Sequence, residues 1–293
     1  MKKRYRVAHS PDADDIFMFA VIKWGWVEVG GGKILLESWE EDIETLNQKA
    51  IKGEYDVTAI SFGVYPYIWR EYALLRGAVS FGYGYGPKLV KRRGEQLKKR
   101  FKVALSGKYT TNALLFRIAY PNARIVYKNF LEIEKAVLRG EVDAGVLIHE
   151  SILEINPQLE VEKELWDIWV NLIGEELPLP LGGMGIRRSI PLWSAIAIEE
   201  AIQKGVVIAN RHRKIVAQML EKMGKVRVDG AKLEKYLSMY AGKESVELTP
   251  EQIAGLNALY KLGAEKGLIP PLKSVENYFI PREYTFLREG REV

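Results

Sequence analysis

The sequence of 293 residues contains no cysteine and only three histidines. The absence of cysteine excludes disulfide bonds, thiolate nucleophiles and cysteine–zinc sites. No apolar run reaches the 18 or more residues of a membrane span. In the amino-terminal stretch MKKRYRVAHSPDADD, acidic residues arrive before any apolar run of signal-peptide length. These absences predict a cytoplasmic protein that does not enter a membrane.

A large excess of one charge is also missing, since 43 lysines and arginines face 38 aspartates and glutamates. The densest basic run, KRRGEQLKKR at residues 91–100, lacks the interleaved aromatic residues of a nucleic-acid groove. We interpret this run as a solvated connection and expect no nucleic-acid partner. The mild basic excess suits an anionic small molecule. Nothing in the sequence decides between a monomer and a homodimer.

Short apolar runs alternate with amphipathic runs along the chain, which predicts an α/β fold. The predicted strands are RYRVAHS, KILLESW, YDVTAIS, FKVALSG, ARIVYK and VDAGVLIH. The predicted helices are DDIFMFAVIKWGW, DIETLNQKAIKG, YTTNALLFRIAY, FLEIEKAVLRG and most of residues 191–267.

One pattern occurs twice, as AIKGEYDVTAIS and as VLRGEVDAGVLIH. Each copy shows a helix end, a glycine, an acid, an aspartate-led strand and a polar residue. This recurrence predicts two α/β lobes, with crossings of the chain near 88–95 and 183–190. The first lobe would comprise residues 1–90 and 190–293, and the second residues 91–189. GYGYG at 82–86 lacks the spacing of a dinucleotide site and is interpreted as part of a flexible crossing.

Polar residues follow four of the predicted strands, at His9–Ser10, Ser61, Ser106–Thr111 and His149. In open parallel sheets, ligands bind outside the carboxyl ends of the strands. Two lobes that face each other would therefore bring these side chains to one cleft.

The segment SGKYTTN, residues 106–112, follows a strand and opens a helix. Free backbone N–H groups and two hydroxyls at such a position form an anion site, better suited to a carboxylate than to a triphosphate. The segment is not a nucleotide P-loop, because Tyr109 follows Gly107–Lys108 where Ser or Thr is required. The alternative is helix capping by Thr110 or Thr111.

Three carboxylates cluster in SPDADD, residues 10–15. A magnesium or calcium site, a phosphoaspartate nucleophile and simple helix capping are the alternatives. Because no second acidic cluster is evident, we expect no metal. An acidic cap that also contacts a hydroxylated ligand makes Asp14 and Ser10 candidate substrate contacts.

His149 ends the apolar strand AGVLI and is followed by Glu150. A lone histidine beside an apolar strand is usually a core residue, but the strand-end position favours catalysis. Of the other two histidines, His212 lies on a predicted solvated helix face, and a structural role is expected for His9. A cleft without cysteine that needs a base near neutral pH would use His149.

Six stretches in order resemble the 1,4-dihydroxy-6-naphthoate synthase family of the futalosine route to menaquinone. They are HSPDADDIFMF, DIETLNQKAIKGEYDVTAIS, GYGPKLV, GKYTTNALL, GEVDAGVLIHES and LPLPLGGMGIRR, which together span residues 9–188. The helical tail shows weaker similarity. The chain departs from the family in the turn GGG at 30–32 and in the basic run, and neither departure touches these stretches.

The resemblance implies the two-lobed fold of type II periplasmic binding proteins, with a central ligand cleft. It also implies a carbon–carbon lyase that cleaves cyclic dehypoxanthinyl futalosine, a carboxylate, without a metal or organic cofactor. His149 would be the general base. The implied substrate contacts are Ala59, Ile60, Ser61, Thr110 and Thr111.

Two other functions stay open on the same fold. One is a small-molecule solute-binding protein, which the absence of an export signal disfavours. The other is chorismate dehydratase, a related enzyme of the same pathway that lacks the IHES histidine motif.

Overall fold

The computed structural model describes residues 2–282. Its strands in chain order are β1 (Lys3–His9), β2 (Ile34–Glu40), β3 (Val57–Ser61), β4 (Tyr72–Leu74), β5 (Ser80–Gly82), β6 (Lys88–Arg92), β7 (Lys102–Leu105), β8 (Arg124–Tyr127), β9 (Ala144–Leu147), β10 (Leu159–Glu164) and β11 (Leu179–Arg187). Its helices are α1 (Ala13–Lys23), α2 (Ile43–Lys52), α3 (Tyr65–Ile68), α4 (Thr111–Ala119), α5 (Phe130–Leu138), α6 (Leu165–Ile173), α7 (Leu192–Arg211), α8 (Arg213–Lys222), α9 (Gly230–Tyr240) and α10 (Pro250–Glu265).

The strands form two separate sheets within the described residues. The first has the order β2-β1-β3-β11-β4, with β5 also paired to β11. The second has the order β10-β6-β9-β7-β8. In the first sheet β1, β2 and β3 run parallel and β11 joins them antiparallel. In the second sheet β7, β8 and β9 run parallel and β6 joins them antiparallel. The α/β class and the two lobes that the sequence predicts are both present.

Local sequence signals mark the ends of several of these helices. The Asp42 carboxylate caps α2 by accepting from the backbone N–H of Glu44 and of Thr45, each at 3.2 Å. Gly53 ends the helix with φ of 69°, a left-handed conformation that glycine adopts without strain. Thr249 and Gln252 form a reciprocal capping box at the start of α10. No helix in residues 2–282 is long and apolar enough to cross a membrane.

The crossings between the sheets lie earlier in the chain than the sequence indicates. Strand β6 starts at Lys88 and already belongs to the second sheet. The stretch LPLPLGGMGIRR, which runs into the predicted crossing at 183–190, contains β11 of the first sheet. We therefore propose a first lobe of residues 2–82 with 179–282 and a second lobe of residues 88–173.

The glycines of β11 explain why this segment occupies an interior position in the sheet. A Cβ at Gly183 would lie 2.8 Å from the Phe62 ring, and one at Gly185 would lie 3.3 Å from Tyr72. Because glycine leaves room for these aromatic side chains, β11 can pair with β3 on one side and with β4 and β5 on the other.

Candidate functional site

A cleft lies between the two lobes, beyond the carboxyl ends of β1, β3, β7 and β9. It contains about 730 Å³ of space, including the part open to solvent. Its bordering residues are Ser10, Asp14, Asp15, Ile43, Ala59, Ile60, Ser61, Ala78, Ser80, Pro87, Ser106, Thr110, Asn112, Ile148, His149, Leu181, Gly182, Gly183, Tyr236 and Tyr240. The strand ends that the sequence singled out therefore meet at one place.

His149 enters the cleft in an uncommon backbone conformation. It lies one residue beyond the buried strand β9, after Ile148, and opens a short 3-10 turn over His149–Ile152. Its φ is 55°, a left-handed value that few residues other than glycine adopt. The ring packs edge-on against Phe130, with centroids 4.9 Å apart. Non-glycine residues held in such a conformation concentrate at functional sites, so the geometry favours a functional role for this histidine.

The His149 ring lies beside a buried carboxylate of the other lobe. Its Nε2 is 3.0 Å from Oδ2 of Asp12, a residue that is 1% exposed. The two atoms are close, but within the described residues neither has a hydrogen-bond partner of good geometry. The other Asp12 oxygen accepts from the Arg227 guanidinium. Asp12 therefore contacts a cation on one side and His149 on the other.

Glu150 connects Arg227 to the start of helix α1. Its Oε1 accepts from the backbone N–H of Ala13 at 3.0 Å, and its Oε2 accepts from Arg227 Nη2 at 2.7 Å. Asp12 of the SPDADD cluster occupies the N-cap position of α1, but its side chain makes no capping bond. A carboxylate from the second lobe thus satisfies a free N–H at the start of a first-lobe helix.

Asp14 borders the cleft and is held by two hydroxyls. Ser80 Oγ donates to its Oδ2 at 3.0 Å, and the Tyr236 hydroxyl donates to its Oδ1 at 3.2 Å. Burial, with the nearby carboxylates of Asp15 and Asp12 adding to it, raises the pKa of Asp14 well above its ordinary value. The environment therefore favours the protonated acid more strongly than water does.

The remaining polar groups near β1 have structural partners. His9 stacks on Phe19 and contacts the Ser10 carbonyl through Nδ1 at 2.8 Å. Burial lowers the pKa of His9, which favours a neutral ring. The Asp15 carboxylate accepts from the backbone N–H of Ser10 at 2.8 Å, and burial raises its pKa. These contacts agree with the structural role expected for His9.

The three carboxylates of SPDADD point to different partners. Asp12 faces Arg227, Asp14 faces Ser80 and Tyr236, and Asp15 faces the backbone of Ser10. No group of three or more His, Cys, Asp or Glu side chains in residues 2–282 converges as a metal site would.

Thr110 and Thr111 occupy different positions. Thr110 borders the cleft, and its hydroxyl caps α4 by accepting from the backbone N–H of Ala113 at 3.2 Å. Thr111 is not among the bordering residues. Its Oγ1 accepts from the Gly63 N–H at 3.1 Å and lies 3.2 Å from the Leu181 carbonyl. The Thr111 hydroxyl thus links the lobes.

Ser61 also serves this inter-lobe contact. Its Oγ accepts from the Thr111 N–H at 2.8 Å and donates to the Leu181 carbonyl at 3.1 Å. The backbone of Ser61 is fixed in turn by Asn47, whose side-chain oxygen accepts from its N–H at 2.9 Å. Ala59 and Ile60 border the cleft from the same strand.

Two polar side chains of SGKYTTN face the cleft without a protein partner. Ser106 Oγ and Asn112 Oδ1 are buried and make no hydrogen bond to any described residue. Buried polar atoms normally find partners, so these two groups are candidates for contact with a bound molecule. Glu44 of the first lobe accepts from the Tyr109 N–H at 3.1 Å and so occupies part of the expected anion site.

Helix α9 supplies a wall of the cleft that the sequence analysis did not identify. Tyr236 and Tyr240 lie four residues apart and therefore on one face of the helix. Burial raises the pKa of both hydroxyls well above the ordinary value, so both stay neutral donors. Their spacing was the available signal, but it is equally typical of a core helix.

Comparison with known proteins agrees with this site. A sequence model of a menaquinone biosynthesis family matches residues 5–265. The 1,4-dihydroxy-6-naphthoate synthase of Streptomyces coelicolor is 30% identical over 278 residues, covering 91% of this chain and 95% of its own length. The enzyme of that name from Thermus thermophilus is 33% identical over 208 residues, covering 71% of this chain and 75% of its own.

Solved structures define the fold and complete the assignment. Protein AF1704 of Archaeoglobus fulgidus superposes with a TM-score of 0.82 at 35% identity, covering 91% of this chain and 98% of its own. The alkanesulfonate-binding protein SsuA of Xanthomonas axonopodis pv. citri superposes with a TM-score of 0.68 at 13% identity, covering 94% of this chain and 97% of its own. At this identity the likeness shows the fold alone. The expected periplasmic-binding-protein fold is confirmed. By both sequence and structure, the chain belongs to the menaquinone biosynthesis family that includes the 1,4-dihydroxy-6-naphthoate synthases.

Proposed function

We propose that the protein is a carbon–carbon lyase that converts cyclic dehypoxanthinyl futalosine to 1,4-dihydroxy-6-naphthoate, with His149 as general base. The observation that carries this proposal is the placement of His149. Its ring is turned into the cleft from a left-handed backbone and lies 3.0 Å from a buried carboxylate. Oxygen acceptors beside a histidine orient it for proton transfer.

The other cleft residues are proposed to bind the substrate. Ser106 and Asn112 offer unpaired polar atoms to the ring carboxylate or its neighbouring oxygens. Tyr236 and Tyr240 border the same space from α9. Ser10, Ala59, Ile60, Ser61 and Thr110 remain proposed contacts, whereas we propose an inter-lobe role for Thr111.

The proposed chemistry needs a base and a closed site. Proton removal from the substrate drives cleavage of a carbon–carbon bond, and aromatisation of the ring product supplies the thermodynamic pull. A positioned histidine base contributes about 10²–10⁴-fold to such a step. Contacts between the lobes exclude water and hold the reacting atoms in place.

One assay separates this function from its rivals. Purified protein is incubated with cyclic dehypoxanthinyl futalosine or with chorismate, and the products are identified by mass spectrometry. Formation of dihydroxynaphthoate from the cyclic substrate supports the proposal. Loss of water from chorismate would instead indicate a dehydratase, and tight binding of either compound without turnover would indicate a solute-binding protein.

A further inference from the structure

We propose that Asp12 is a positioning residue for His149 and that closure of the lobes assembles the pair, with Arg227 as the cation that holds it together. This inference rests on the proposed role of His149 as proton acceptor. Asp12 precedes α1 in the first lobe, whereas His149 follows β9 in the second. Their 3.0 Å contact therefore exists only while the lobes are closed.

The contact assigns different tasks to the two ring nitrogens. Nε2 is sealed from solvent and faces the Asp12 carboxylate. A proton on Nε2 is favoured by that negative charge, which leaves Nδ1 unprotonated to accept the substrate proton. The imperfect alignment of Nε2 with Oδ2 is typical of sites before substrate binds. Asp12 thus fixes the tautomer and the orientation of the base.

Arg227 makes this arrangement stable. The buried carboxylates of Asp12 and Glu150 would repel each other without a cation between them. Arg227 Nη2 donates to both, and its guanidinium lies over the Phe130 ring, 5.1 Å from the centroid. Its Nη1 donates to the Pro11 carbonyl at 3.2 Å. One side chain from the α8–α9 connection therefore contacts both lobes.

Opening of the lobes would break the contacts of His149 and Glu150 with the first lobe together, while Arg227 would keep Asp12 and Pro11. His149 would lose Asp12, and Glu150 would lose both Arg227 and the N–H of Ala13. Proton abstraction is then tied to closure, because the base has its orienting carboxylate only while the lobes are closed. An ordinary inter-lobe salt bridge would hold the lobes together without affecting the state of the ring.

The test compares Asp12→Asn and Asp12→Ala with the wild-type protein. Both variants leave Arg227 and Glu150 as a balanced pair. Lys232→Met is the matched control, because Lys232 pairs with Glu154 between the lobes on the exposed surface. We expect kcat to fall roughly tenfold to a hundredfold in the Asp12 variants with little change in KM. The control should keep the wild-type kcat.

A second readout does not depend on turnover. The ring nitrogen chemical shifts of His149 report its tautomer, and His149→Asn identifies its signals among the three histidines. We expect protonated Nε2 in the wild type and a mixture of tautomers in Asp12→Ala. The same tautomer in both proteins, or a wild-type kcat in both Asp12 variants, would overturn the positioning role. If the wild type does not convert the cyclic substrate, the proposed function fails while the tautomer comparison still tests the pair.

Small-angle X-ray scattering of Arg227→Met tests directly whether Arg227 holds the two lobes together. We expect a larger radius of gyration than in the wild type and in Lys232→Met, because the carboxylates of Asp12 and Glu150 are then unpaired. A radius equal to that of the wild type would show that Arg227 does not hold the lobes closed.

Discussion

Gly63 of the first lobe donates its backbone N–H to Thr111 Oγ1 of the second lobe at 3.1 Å. A Cβ at residue 63 would lie 2.8 Å from the backbone of Thr110 and Thr111. Backbone atoms cannot move aside as a flexible side chain can. The absence of a side chain at residue 63 is therefore a condition for the close approach of the lobes.

Gly63→Ala should accordingly hold the lobes apart while each lobe keeps its own core. We expect KM for the cyclic substrate to rise about tenfold, because part of the binding energy must overcome the clash. Gly242→Ala is the control, since a Cβ there meets only the end of the Glu244 side chain within 3 Å. Steady-state kinetics decide, and equal KM values for the two variants would contradict this account of closure.

Ser106→Ala should weaken substrate binding without harming the fold. The Ser106 hydroxyl is buried and has no partner among residues 2–282, so its removal leaves no protein group unpaired. We expect roughly five- to tenfold weaker binding, equivalent to about 1 kcal/mol for one hydrogen bond. Thr110→Val provides the contrast, because loss of the α4 cap should lower stability by about 1 kcal/mol. Calorimetric titration and denaturant unfolding measure the two effects, and unchanged affinity in Ser106→Ala would remove this residue from the site.

Asp14→Asn should stabilise the protein increasingly as the pH rises. The pKa of Asp14 is raised in the fold, so the folded state keeps a proton that the unfolded state loses near pH 4. Its contribution to stability therefore falls from about pH 4 upward until the folded group ionises. Asparagine has no such titration, and the Ser80 hydroxyl can turn toward the Tyr240 carbonyl, 3.4 Å away. Urea unfolding from pH 4 to 8 should show a widening gain for the variant; a gain that shrinks with pH would contradict the raised pKa.

The sequence predicts best the strands that combine an apolar run with a clear end. Strands β1, β3, β7 and β9 each end in polar residues that reach the cleft. By contrast, β6 and β10 carry many charges and were not predicted. They pair antiparallel with each other, and Lys91 contacts Glu162 at 2.5 Å and Lys88 contacts Glu164 at 3.1 Å across the pair. These partners are 71 and 76 residues apart, so no local pattern reveals them.

The residues of the candidate site also divide into those that the sequence predicts and those that it does not. The placement of His149 was predictable because a buried strand delivers it to the sheet edge. Arg227 and Tyr236 were not, since they lie 215 and 222 positions from the aspartates they contact. Thr111 shows a further limit, because a hydroxyl at a helix start can serve a ligand or another lobe. Only the packing of the lobes decides between these uses.

Turnover by His149→Asn is the measurement that tests the central claim most directly. Asparagine tolerates the left-handed backbone at this position, so the variant should keep its fold. We predict a wild-type melting temperature, retained substrate binding and a fall in kcat of roughly a hundredfold or more on loss of the general base. A core histidine would behave in the opposite way, with a lower melting temperature and nearly unchanged turnover. A kcat for dihydroxynaphthoate formation close to that of the wild type would contradict the assignment of His149 as the base.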